Sequence, residues 1–453
     1  MSDDGDELLV IATSGDLILD VSQEEGSQVY LYRVDSKTLQ QNSRYFENLL
    51  SERFSEGQKL AAALSDLKLA GHTSLEDAPA NSLPHISIVN AGRIAISKAS
   101  SIRNLVADFL RAVHGLDLAV ANPPVANIAN LAVVADRFDA VECVAKYVQR
   151  KKYLQLAEAK SKGRASPALT EERVRQKLLI GLLLDHPPWV TRYSKYLIIR
   201  DSVQWRPEAE EDHTKALWWD IPNGLEDEMI QRRECILDTV NSLQAYFLKL
   251  YTSGDRQCKL GYDTSLQCDS FQLGEMIRFF TKIDTLRMQG KIYDNTEPTY
   301  YQGDIERLLA TLRQTPSYQI NGNHAHCGLR VRIVPPLDML QDYLSLSSGN
   351  SDVGVCGDCW GSLRSEYAWS IAKRPLLWTA PRHLSSFRAS TANGAAKRQH
   401  GTPGGCLGRH IVVRDLFMAV ERNWTDGQGN APALGWSNMS LSLDPRITPT
   451  GRR

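Results

Sequence analysis

Two β-patterned runs, Asp16 to Val21 and Val29 to Val34, lead straight into a helical stripe of Leu39, Tyr45, Phe46, Leu49 and Leu50. Strands that feed directly into an amphipathic helix have to bury a sheet face under it, so this order predicts an α+β unit and excludes a pure bundle or sandwich. A polar stretch of small residues from Glu56 to Ser82 reads as a linker, and His85-Ile86-Ser87-Ile88-Val89 alternates as a further strand. Ile102, Leu105, Val106, Phe109, Leu110 and Val113 then form one helical face that ends at His114-Gly115. After Pro123-Pro124, Ile128, Leu131, Ala132, Ala135, Phe138, Val141 and Val144 form another, running toward Tyr147-Val148.

Residues 1–150 are therefore expected to be one α+β domain, followed by a linker over 151–168, where Lys, Ala, Glu and Ser crowd before Pro167. Thr170-Glu171-Glu172 opens a helix carrying Val174, Leu178, Leu179, Leu182 and Leu183, which Pro187-Pro188 should stop. Further helices are expected at 225–251, 271–288, 304–313, 337–344 and 361–372, which makes 169–381 a mainly α-helical domain. Between Glu366 and Asp415 the chain carries eight basic and no acidic side chains amid Ser, Ala, Gly and Thr. The expectation is a basic flexible loop over 382–407, a short helix over 408–424, and a disordered Gly-, Pro-, Asn- and Ser-rich tail over 425–453.

Fifty-two basic against 53 acidic side chains give no whole-chain electrostatic reason for nucleic acid or an anionic membrane as partner. No run approaches the roughly 18 apolar residues of a membrane helix. The acidic opening Asp3, Asp4, Asp6 and Glu7 has the wrong sign for a leader, so a cytoplasmic or nuclear protein is expected. Phosphate-loop, dinucleotide-binding, nucleophile-elbow and kinase patterns are all missing from the sequence, and a non-enzymatic role is the expectation.

Several segments taken in order resemble the BTB/POZ domain. They are Asp16 in the first strand, Val34 closing the second, Ser43 with Tyr45-Phe46 in the first helical stripe, Phe109 to Gly115, and Leu131 to Phe138. The last of these is similar to that family's Leu-Ala-x-x-Ala-Asp-Lys-Tyr signature, carried here by Ala135, Asp136 and Phe138. Asp35 stands where many members place a histidine. The later Cys258-x9-Cys268-Asp269, Asn323 to Arg330 and Tyr367-Ala368-Trp369-Ser370 resemble the long region that follows this domain in uncharacterised filamentous-fungal proteins. The resemblance implies a scaffold that forms homo- or hetero-oligomers or recruits protein partners through its N-terminal domain. Two alternatives stay open: a nuclear transcriptional regulator with a zinc-stabilised element, or a substrate adaptor that recruits a cullin-type ubiquitin ligase.

Eight cysteines without an export signal point to reduced thiols or metal ligands and not to disulfides. Cys356-Gly357-Asp358-Cys359 has the two-residue spacing that lets two thiolates share one tetrahedral Zn²⁺. His324 and Cys327 are the candidate remaining ligands, with His326, Cys258 and Cys268 nearby in sequence. The same side chains can equally serve as packing or as satisfied polar groups. The pattern demands no cofactor and leaves a structural zinc as the option.

Overall fold

The computed structural model describes residues 8–22, 28–69, 71, 78–88, 101–162, 169–206, 216–258, 260, 265–286, 301–346, 353–380 and 405–424. Most of the segment expected to be a basic loop and all of the expected tail lie outside these residues.

The N-terminal part is built on a four-stranded sheet of β1 (Leu9–Val10), β2 (Leu17–Ser22), β3 (Val29–Val34) and β4 (His85–Ile88), in the order β1-β3-β2-β4. The central strand β2 runs antiparallel to β3, with Leu19 opposite Tyr32, and parallel to β4, with Leu19 opposite Ile86. Leu17, Ile18, Leu19 and Val21 of β2 are all buried, because both faces of the sheet are covered. One face meets the main core. On the other, Ile18 packs with Leu67 of α3 (Ser55–Leu69), Ala78 and Leu83. Residues 56–69 of the stretch read as a linker are thus helical. Its apolar stripe of Leu60, Leu64 and Leu67 is thin and is diluted by Ala, Glu and Lys, which hid it from a periodicity reading.

The first helical stripe is two helices, α1 (Ser36–Asn42) and α2 (Arg44–Leu49), divided at Ser43. The Ser43 hydroxyl accepts from the Phe46 N–H at 3.2 Å, which caps α2, and donates to the Phe138 carbonyl at 2.6 Å. Asp16 fixes the start of α1, its carboxylate accepting from the Ser36 N–H and hydroxyl at 2.8 and 2.7 Å. Phe46, Phe109 and Phe138 stack in a row, with Tyr45 meeting both Phe46 and Phe138 edge-on at the rim. Val34 and Ala135 are buried, whereas Tyr45 and Asp136 are exposed.

The helices α4 (Ile102–Val113), α5 (Val125–Arg137) and α6 (Val141–Arg150) complete this part. Ile128, Ala129, Leu131, Ala132, Val134 and Ala135 leave α5 apolar around most of its circumference, so it has to be enclosed. It packs against α4 and α6 on one side and against α8 (Glu171–Leu183) on the other. One apolar core therefore continues from Ile11 to Trp424, and the expected boundary does not separate two cores. The expected linker begins with a helix of its own, α7 (Tyr153–Lys162), whose Glu158 accepts from the Trp189 indole N–H at 2.8 Å.

Pro187-Pro188 does not merely stop α8. It opens α9 (Pro187–Arg200), since the first helical turn needs no amide donor there. The spine of the helical part is the 28-residue α10 (Leu225–Thr252). Around it lie α11 (Ser265–Lys282), α12 (Ile305–Leu312) and α13 (Leu329–Leu344), then the short α14 (Gly357–Ser362) and α15 (Arg364–Tyr367). Last come β5 (Leu377–Thr379), α16 (Leu407–Met418) and β6 (Glu421–Asn423), with β5 and β6 paired in parallel. Helix α13 starts eight residues before the expected position and holds Pro335 and Pro336 inside it, because Leu329, Ile333, Leu337, Leu340 and Leu344 bury one continuous stripe. No helix among the described residues is long and apolar enough to cross a membrane.

His114, at the end of α4, links the helices to the sheet. Its Nδ1–H donates to the Leu110 carbonyl at 2.8 Å and its Nε2 accepts from the Asp35 N–H at 3.2 Å, an arrangement that needs the neutral ring. Burial pushes its pKa below the usual imidazole value, partly opposed by the Leu110 carbonyl and Asp35. A ring depressed in the folded chain binds fewer protons there than in the unfolded one. Its stabilisation is complete above about pH 6.5 and is lost as pH falls through the depressed value. The denaturation midpoint should therefore drop from about pH 6.5 downward, and His114→Gln, whose amide can make both bonds without titrating, should flatten that drop. Identical pH slopes in the two proteins would contradict this.

Candidate metal centres

The cysteines and histidines converge in two groups. In the first, Cys258 follows α10, Cys268 sits in the first turn of α11, His324 closes a short 3₁₀ turn, and Cys327 lies just ahead of α13. All four are buried. The Cys258 Sγ is 3.4 Å from His324 Nδ1 and 3.7 Å from Cys327 Sγ, and Cys327 Sγ is 3.8 Å from His324 Nδ1. A tetrahedral ion with Zn–S near 2.3 Å and Zn–N near 2.0–2.1 Å has S···S edges of about 3.8 Å and S···N edges of about 3.6 Å. The observed edges are close to these values, and the sulfurs are far beyond the ~2.05 Å of a disulfide.

Backbone contacts hold this arrangement. The Asp269 carboxylate, next to Cys268, accepts from the Gln257 and Cys258 N–H groups, each at 2.9 Å, so one cysteine segment fixes the other. The Tyr251 hydroxyl donates to the Cys327 carbonyl at 2.9 Å, and Arg332 donates to the Gln257 carbonyl at 2.8 Å while lying over the Tyr251 ring. Asn321 accepts from the Asn323 N–H at 3.0 Å and shapes the turn that presents His324. Burial pushes the Cys268 thiol far up and the Cys327 thiol up to about 11. For Cys258 burial is outweighed by hydrogen bonds from Ser265 and the Leu260 backbone, and its thiol is lowered. A dication among the sulfurs would remove the cost of placing several thiolates together.

The second group joins Cys356 and Cys359, at the start of α14, to Cys406 and His410, at the start of α16. Cys359 Sγ is 3.3 Å and Cys356 Sγ 4.0 Å from Cys406 Sγ. Here Cys359 and His410 are buried and Cys406 is half-exposed. Burial raises the thiol pKa values of both Cys356 and Cys359. Two glycines let the Cys356 loop lie on α9. A Cβ at Gly354 would stand 2.4 Å from the Thr191 carbonyl oxygen, and one at Gly357 would stand 2.7 Å from Pro187 Cα.

The single site expected from Cys327, Cys356, Cys359 and His324 is thus divided between two groups, each completed by other residues. Both are anchored on α10, at Tyr251 for the first and at Arg232 for the second. These positions are about 28 Å apart along the helix axis, too far for one ion. Cys258 and Cys268 were in view in the sequence without a partner assigned. Cys406 and His410 were missed, although their four-residue spacing at a helix start was a usable signal. His326 is exposed and belongs to neither group.

The anchor at Arg232 is a buried ion pair. Arg232 contacts Glu228 at 2.8 Å and donates to the Gly354 carbonyl at 2.8 Å and the Tyr367 hydroxyl at 3.1 Å, its guanidinium lying between the rings of Tyr367 and Trp369. Glu228 also accepts from the Trp369 N–H at 2.8 Å and the Ser370 N–H and hydroxyl at 3.1 and 2.9 Å. The Tyr367 hydroxyl in turn accepts from the Cys356 N–H at 2.6 Å.

A separate open cleft of about 1160 Å³ lies where the N-terminal part meets the α8–α9 turn, lined by Ser43, Arg44, Asp139, Glu142, Lys152 and His186 among others. Its lining mixes charges of both signs, unlike the mostly apolar pockets that enclose small molecules. No family profile, curated protein or solved structure matches this chain.

Removing Glu228 would strand the Arg232 charge. Glu228→Ala is expected to destabilise the protein by about 3–5 kcal/mol in denaturant unfolding. In native labelling with a maleimide, Cys356 and Cys359 should become reactive in this variant while Cys258 and Cys268 stay protected. Equal protection of all four would refute the anchoring role.

Proposed function

We propose that this protein is a non-enzymatic interaction scaffold: an N-terminal module of the BTB/POZ type recruits or oligomerises protein partners, and two structural zinc ions brace the helical part. The two Cys₃His groups carry the zinc half of this reading. Three sulfurs and one imidazole whose ligand atoms all lie within 4.8 Å of one another suit Zn²⁺, and four protein ligands leave no open position for a water or substrate. Structural sites are closed in this way, whereas catalytic zinc keeps a position free. The module half is supported by the positions of the resembling residues. Ser43 joins the two first helices to Phe138, Asp16 fixes the strand–helix connection, and Val34, Phe46 and Ala135 fill the core, while Tyr45 and Phe54 remain exposed. Residues buried for folding explain a recurring module, and the exposed aromatics are what a partner would meet.

Two measurements test the two halves. The purified full-length chain should contain two zinc equivalents by mass spectrometry of the metal, and a strong chelator should lower its melting temperature, since structural zinc contributes about 10–16 kcal/mol of apparent binding energy to folding. A metal-free protein with an unchanged melting temperature would end the zinc reading. Cross-linking of captured complexes, or of self-associated chains, should place partner cross-links within residues 8–150. Cross-links confined to 169–424 would refute the module's role.

A further inference from the structure

We infer that Cys359 and Cys406 form an oxidation site for hydroperoxides, through which the second group gives up its metal while the first keeps its own. The inference rests on the zinc reading above and concerns how one of the two sites is regulated.

The groups have the same donor set and unequal surroundings. In the first, Cys258, Cys268, His324 and Cys327 are at most 7% exposed, so an oxidant in solution has no sulfur to reach. In the second, Cys406 is half-exposed at the edge of α16, directly before the first helical residue. Cys359 is fully buried with its sulfur 3.3 Å away, the shorter of the two sulfur contacts made by Cys406. A partly exposed sulfur that reacts first, with a buried sulfur poised to resolve it, is the arrangement a peroxide-sensitive pair requires.

The chemistry balances with a hydroperoxide as oxidant. The Cys406 thiolate attacks one peroxide oxygen, the O–O bond breaks, and hydroxide (or alkoxide) leaves, giving a sulfenic acid at Cys406. The Cys359 thiolate then attacks that sulfur, the S–O bond breaks, and a second hydroxide leaves as the disulfide forms. The two thiolates lose two electrons in total and the peroxide gains both. The ion keeps only Cys356 and His410 of its four ligands, and affinity falls accordingly. The bond between α14 and α16 survives as a covalent link, while the metal becomes available to other ligands.

The full-length, zinc-loaded protein is assayed for metal, then titrated with hydrogen peroxide. A chromogenic chelator reads released zinc, and non-reducing peptide mass spectrometry reads the disulfides. The expected result is release of one of two equivalents together with a Cys359–Cys406 linkage, reversed by a thiol reductant plus zinc. Cys406→Ser removes a ligand of the second group, so it should load one zinc equivalent and release none of it under peroxide. If that variant does not fold, the disulfide map of the wild-type chain decides. Simultaneous loss of both equivalents, a disulfide among Cys258, Cys268 and Cys327, or unchanged release from Cys406→Ser would overturn the inference. Retention of both equivalents under peroxide refutes this inference alone, whereas absence of zinc before peroxide refutes the zinc reading and this one with it.

Discussion

The Glu228–Arg232 pair is the constraint on which the C-terminal half of the molecule depends. Two charges taken from water into a core are costly unless each finds several partners, and here each does. The carboxylate collects two backbone N–H groups and a hydroxyl from Trp369 and Ser370, and the guanidinium collects the Gly354 carbonyl and the Tyr367 hydroxyl between two aromatic faces. Two adjacent side chains on one turn of α10 thereby fix the segment from Val353 to Ser370, whose regular structure is the two short helices α14 and α15. Cys356 inherits its position through the Tyr367 hydroxyl. The Thr239 hydroxyl, two turns further along α10, lies 3.2 Å from the Phe417 carbonyl and holds the helix that follows Cys406. Both halves of the second cysteine group are thus positioned from one helix.

The same helix supports the first group at its far end, where Tyr251 holds the Cys327 carbonyl. The first group gathers segments that burial alone serves poorly. The segments 253–258 and 313–328 are largely irregular and bring few apolar side chains to the core. Four ligands on one ion, or a Cys/His cluster packed as tightly as these, replace that missing burial with a few short contacts.

The junction between the N-terminal module and the helical part shows a different solution. Helix α5 is apolar nearly all round and is shared between the sheet-covering helices and α8, so the two parts fold around a common element. A module of this kind is not an appendage on a linker. Helix α5 packs on α8, α8 packs on α9, and the Cys356 loop lies on α9.

The periodic, locally encoded parts were legible from sequence: the strands at Asp16–Val21 and Val29–Val34, the helical faces of α4 and α5, and the long helix starting at Leu225. Each is a repeat of 2 or 3.6 written in neighbouring residues. The readings that failed did so where local signals are weak or ambiguous. The stripe on α3 is sparse, Pro187-Pro188 reads equally as a stop or a start, and the stripe on α13 overrides two prolines that argue against a helix. For the two Cys/His groups, the sequence by itself determined the inventory of soft donors and the Cys356-x2-Cys359 spacing, because those are properties of composition and order. Which donors share a centre was decided only by the tertiary structure. That choice depends on where Glu228, Arg232, Thr239 and Tyr251 project from α10, and a helix of about 1.5 Å rise per residue separates its two ends by a distance that sequence spacing does not reveal.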